Sequence, residues 1–177
     1  MKKKTLALVL ALTLLVAGVV GGTLAWLTDQ TAEVKNTFTV GDINIDLTET
    51  TTDYKMIPGN TIAKDPTVTV KANSEACWLF VKVTESTDLK DFITYAIAEG
   101  WTALPGVDGV YYREVPASAA DQTFSVLADD AVTVKSDVTR TMLETAKTDA
   151  PTLTFQAYAI QKDNVASASD AWAKVNP

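Results

Sequence analysis

After its first 29 residues the chain returns repeatedly to an apolar period of two, and this narrows the possible folds more than any other feature. Val34, Phe38 and Val40 alternate with Lys35, Thr37 and Thr39. Ile43, Ile45 and Leu47 then alternate with Asp42, Asn44, Asp46 and Thr48. Strict alternation marks a strand with one face buried, because successive side chains point to opposite sides of a sheet. The apolar phase changes from even to odd at Gly41-Asp42. A slip of one residue turns every side chain to the other face, so this point reads as a bulge or tight turn.

The pattern continues downstream. Pro58-Gly59 in "MIPGNT" is a type II turn signal, and Val68 and Val70 follow with a threonine between them. "CWLFVKV" (Cys77 to Val83) is apolar on both phases until Lys82, as expected for a central strand covered on both sides. "GWTALPGVDGVYYREV" reads as a hairpin turned by Pro105-Gly106 and Asp108-Gly109. "FSVL", "AVTV" and "LTFQAYAIQ" are further strands. In the last, Leu153, Phe155, Ala157 and Ala159 face one way, and Thr154, Gln156, Tyr158 and Ile160 the other.

"STDLKDFITYAIAEGW" fits two periods; a helical turn near Asp88 to Phe92 followed by a strand is the reading adopted. Short helices are expected at Asp137 to Ala146 and Ser169 to Val175, with Ser167 and Asp170 capping the second. Many short strands, frequent turns and few helices predict an all-β fold. The expected architecture is an antiparallel, jelly-roll-like β-sandwich with a few short helices, preceded by an N-terminal signal helix.

The N-terminus has a different composition. Met1-Lys2-Lys3-Lys4 is a positive start, Thr5 to Val20 is almost wholly apolar, and Gly21-Gly22 then breaks the run. Small residues follow at Thr23 and Ala25. This is the layout of a secretory signal peptide, predicting cleavage between Ala25 and Trp26 and a single domain over residues 26–177. The uncharged stretch from Thr5 to Thr28 is also long enough to span a bilayer, so an uncleaved anchor is the alternative.

Composition excludes several function classes. The 15 lysines and arginines stand against 22 aspartates and glutamates, a net charge of -7. Removing residues 1–25 takes three of the lysines and leaves the remainder more acidic. An acidic chain suits neither nucleic-acid phosphates nor polybasic docking on lipid, so membrane contact is expected only through an uncleaved signal segment. There is no histidine, which rules out Ser-His-Asp and Cys-His nucleophile systems and zinc proteases of the H-E-x-x-H kind. The one cysteine, Cys77, permits no internal disulfide and reads as a small buried hydrophobe.

Carboxylates alone are able to run a glycosidase, but Asp108, Asp129-Asp130 and Asp163 fall where turns are expected and read as backbone-bonding turn residues. No D-x-D-x-D-G calcium loop and no glycine-rich phosphate loop occur. Trp101 and Tyr111-Tyr112 read as cross-strand packing rather than an aromatic binding face. No catalytic residue, metal ligand or cofactor is therefore expected.

The junction "GGTLAWLTDQTAEVKNTFTVGDINIDL" is more specific. Gly21, Gly22, Thr23 and Ala25, then Trp26, Thr28 and Asp29, then Asn36, Phe38, Gly41, Ile43 and Ile45 follow a G-G-T-x-A … N-x-F-x-x-G-x-[IL]-x-[IL] pattern. In this the chain resembles the TasA/camelysin family of Firmicutes, whose signal peptides depend on a signal peptidase of SipW type. "MIPGNTIAKDPTVTVKANSEACWLFVKV" and "PTLTFQAYAIQKDNVASASDAWAKV" are similar to the family as well, so the resemblance covers essentially the whole chain.

The resemblance implies a secreted jelly-roll protein of the extracellular matrix or cell surface, a subunit or accessory of a biofilm matrix fibre. It implies partners that are other copies or related matrix subunits, with an N-terminal strand donated to a neighbour. Val34, Phe38 and Val40 are the expected donor side chains; the competing reading makes them the first strand of the chain's own sheet. Some family members carry a metallo-endopeptidase label, and the absence of histidine here argues against carrying that activity over. A binding module that never polymerises is the third reading. No L-P-x-T-G sorting motif closes the sequence, so covalent attachment to a cell wall is not expected.

Overall fold

The computed structural model describes residues 42–51 and 54–175. These are mostly antiparallel β-structure with a few short helices, as the alternation predicts. The strands are β1 (Ile45–Thr48), β2 (Thr61–Ala63), β3 (Thr67–Val70), β4 (Cys77–Glu85), β5 (Ile93–Thr94), β6 (Thr102–Ala103), β7 (Val110–Val115), β8 (Gln122–Ser125), β9 (Ala131–Val134) and β10 (Leu153–Gln161). The helices are α1 (Leu89–Phe92), α2 (Arg140–Ala146) and α3 (Ala168–Val175). Among the described residues the strands form three sheets, ordered β1-β3-β8, β10-β4-β7-β6 and β2-β9-β5, with every pairing antiparallel.

The four-stranded sheet organises the core because β4 is apolar on both faces. One face carries Leu79, Val81 and Val83 against Val68 and Val70 of β3. The other carries Trp78 and Phe80 against Ala168, Ala171 and Trp172 of α3. Phe80 and Trp172 lie 5.3 Å apart, and Tyr158 meets Trp172 edge-on at 5.1 Å. β10 splits its side chains as expected: Leu153, Phe155, Ala157 and Ala159 face the first cluster, while Tyr158 and Ile160 face the second. A third cluster joins Val132 and Val134 of β9 to Leu89, Phe92 and Val138. Cys77 is fully buried.

Turn chemistry accounts for the joints. Asn60 N donates to Ile57 O (3.0 Å) across Pro58-Gly59, with Gly59 at φ +79°, the geometry of a type II turn. The β6–β7 hairpin closes through Gly106 and Gly109. A Cβ at Gly109 would stand 2.5 Å from Val83 O, so the turn needs glycine for close approach as well as for its φ of +72°.

Three elements differ from expectation in extent. The helix expected from Asp137 starts at Arg140, because Thr139 is its N-cap and its side chain accepts from Met142 N (3.3 Å). The strand after α1 is two residues long; beyond it Ile97 makes an isolated bridge to Leu127. "FSVL" leaves the strand after Ser125, where Val126 and Leu127 become core residues. The second expected helix forms with its cap, Ser167 Oγ accepting from Asp170 N (3.1 Å).

Candidate strand-acceptor edge

Two sides of the sheet pair β1-β3-β8 and β10-β4-β7-β6 are finished differently. On the β8 side, Trp101 Nε1 donates to Ser125 O (2.9 Å). Ala98 N donates to Val126 O, and Ala128 N to Ala96 O, each at 2.9 Å. The segment Ala96–Trp101 thus caps that edge. Arg113 closes the corner with its guanidinium 3.8 Å from the Phe124 ring centre and 5.4 Å from that of Trp101. Its Nε is buried without a hydrogen-bond partner, and desolvation lowers its pKa. Covering an edge in this way removes a template for unwanted pairing.

On the other side lie β1 and β10. Among the described residues each pairs along one edge only, β1 with β3 and β10 with β4. β10 is nine residues long, tied to β4 from Leu153↔Glu85 to Gln161↔Cys77. Its inner side chains Leu153, Phe155, Ala157 and Ala159 are all half-buried, whereas Leu79 and Val81 beside them on β4 are fully buried. β1 shows the same contrast, with Ile45 and Leu47 half-buried against Val68 and Val70. Apolar burial falls off toward this rim.

The rim opens beside the start of β10. A shallow groove of about 350 Å³ is lined by Leu47, Glu49, Pro66, Leu153 and Phe155. Next to it, on the other flank of Leu153-Thr154, lies a hollow of about 430 Å³. Lys64 stands at this junction, 7% exposed. Its ammonium pairs with Glu49 Oε1 at 2.6 Å and lies 4.7 Å from the Tyr54 ring centre and 5.3 Å from that of Phe155. Tyr54 Oη donates to the same Glu49 oxygen (2.6 Å). Burial first, then the Glu49 hydrogen bond and the Glu49 and Asp65 charges, push the Tyr54 phenol above its ordinary pKa. Thr50 donates to Asp65 from both its backbone N (3.0 Å) and its hydroxyl, holding the carboxyl below its usual pKa.

The expected site residues Ala25, Trp26, Val34, Phe38 and Val40 lie outside the described residues. The chemistry-bearing positions weighed in the sequence are not brought together. Cys77 sits in the core, and burial raises its thiol pKa to about 11. Asp108 and Asp163 occupy turns, while Asp129 and Asp130 hold left-handed backbone at φ +57° and +49°. Tyr111 and Tyr112 pack into opposite core clusters, and Trp101 packs into the first. Among the described residues no three His, Cys, Asp or Glu side chains group to hold a metal. The Glu49–Lys64–Tyr54 cluster was not anticipated; the only local hint is a lysine placed next to Ile62 and Ala63. No protein-family model matches the chain, and no curated protein or solved structure matches it.

Proposed function

We propose that this chain is a secreted structural subunit or accessory of an extracellular matrix fibre. In this reading a signal peptidase of SipW type cuts between Ala25 and Trp26. The strands form a jelly-roll-like sandwich. The freed N-terminal segment, with Val34, Phe38 and Val40 as its inward side chains, adds as a strand to the rim of a neighbouring copy. The carrying observation is the asymmetry of the rims. The β8 edge is capped by Trp101 and Ala96–Ala98, while β10 presents nine residues whose inner side chains are half-buried. An added strand gains main-chain hydrogen bonds for affinity and a period-two register for specificity. Burying half-exposed Leu153 and Phe155 contributes about 25 cal/mol for each Å² of apolar surface removed from water.

The test compares two proteins at rising concentration by electron microscopy and light scattering. One begins at Trp26; the other keeps several residues before it. Filaments from the first alone support strand donation controlled by the cut. Stable monomers from both would overturn the fibre reading and leave a non-polymerising extracellular binding module. A chelator-sensitive proteolytic activity of the pure protein would instead favour a camelysin-like endopeptidase.

A further inference from the structure

We infer that the hollow beneath Lys64 is a binding site for a small, uncharged, mainly apolar molecule carrying one carbonyl or hydroxyl oxygen. The hollow holds about 430 Å³, within the range of small-molecule sites. Its apolar wall comes from separate elements: Ile62 of β2, Val132 of β9, Ile93 of β5, Leu89 of α1 and Leu153 of β10, with Met56 from the loop before β2. Water there faces mostly hydrocarbon and is readily displaced by an apolar guest.

The polar end of the site is Lys64, which lines the hollow while more than nine-tenths buried. A lysine ammonium has three hydrogen-bond donors. One is spent on Glu49, and the rings of Tyr54 and Phe155 flank the ammonium without offering an oxygen. A guest oxygen would take a remaining donor. The charge balance selects the class of guest. Lys64 and Glu49 already neutralise one another at 2.6 Å, so an ionic guest would lose its hydration in the apolar hollow without gaining a free counter-ion. A ketone, alcohol or amide on a short apolar body avoids that cost. The role of the hollow does not rest on the fibre reading, although the hollow shares Leu153 with the rim groove.

The test is a methyl NMR titration of the protein with 2-octanone, octanoate and octyltrimethylammonium. The expected result is saturable shifts from 2-octanone confined to the methyls of Ile62, Leu89, Ile93, Val132 and Leu153, with the two charged probes binding at least tenfold more weakly. Ile62→Trp, from a half-buried wall position, should abolish the shifts; if that variant fails to fold, Met56→Trp serves the same purpose. The paired K64M/E49L variant, which removes the ammonium donor, should bind 2-octanone several-fold more weakly. No saturable binding of 2-octanone, shifts elsewhere in the chain, or equal binding of octanoate by the unaltered protein would each overturn the inference.

Discussion

At the scale of single residues, the buried ion pair and the buried thiol make opposite kinds of prediction. Lys64 and Glu49 have side chains only 9% and 16% exposed, so neither charge is well hydrated alone. Lys64→Met should destabilise the fold by about 3 kcal/mol in urea denaturation, because it strands Glu49. The paired K64M/E49L change should restore most of that loss, since apolar replacement of a buried pair is often tolerated. Cys77 behaves differently. Its folded pKa of about 11 lies above the ordinary 9.0, so folding disfavours the thiolate. Its contribution is present below about pH 9 and is lost as pH rises toward 11. Tyr54 and Tyr95, also shifted upward, extend the loss to higher pH. Stability should therefore fall on the alkaline side, and Cys77→Ala should flatten the part between pH 9 and 11 in melts taken across that window. Cys77 was legible in the sequence as a buried hydrophobe because it opens a run apolar on both phases. The Lys64 cluster was not, because Glu49, Tyr54 and Lys64 meet Phe155 only where separate sheets pack together.

At the scale of elements, local signals carried most of the information. The unbroken apolar run placed β4 at the centre, and strict alternation correctly divided the faces of β10. Glycine pairs located the β6–β7 turn. Here Gly109 and Gly59 separate two effects. Gly109→Ala would combine a positive φ with a Cβ 2.5 Å from Val83 O, and should cost roughly 3 kcal/mol or more. Gly59→Ala meets nothing within 4 Å and should cost only the left-handed backbone term, about 1 kcal/mol. Thermal melts of the two variants distinguish packing from backbone strain. Ser167→Ala removes the acceptor for Asp170 N and should cost about 1 kcal/mol through α3. Element ends were less legible. Thr139 takes over the cap of α2 through a local hydrogen bond from Met142 N, and after α1 the chain trades strand pairing for the single Ile97–Leu127 bridge, a tertiary contact.

At the scale of the whole molecule, strand order was beyond the sequence, since an alternating strand pairs equally well with many partners. The order matters because, among the described residues, it leaves β10 and β1 at one rim and places β8 under the Trp101 cap at the other. The proposal that the first rim receives a neighbour's N-terminal strand makes β10 the structural reporter. Backbone amide hydrogen exchange along Leu153–Gln161 is the measurement that tests it most directly, comparing monomer with assembled protein. The account predicts that amides facing away from β4 exchange readily in the monomer and become protected on assembly. It also predicts that protection and filaments vanish together when Val34, Phe38 and Val40 are replaced by aspartate. Filaments whose β10 amides exchange as they do in the monomer, or that persist with the three aspartates, would contradict it.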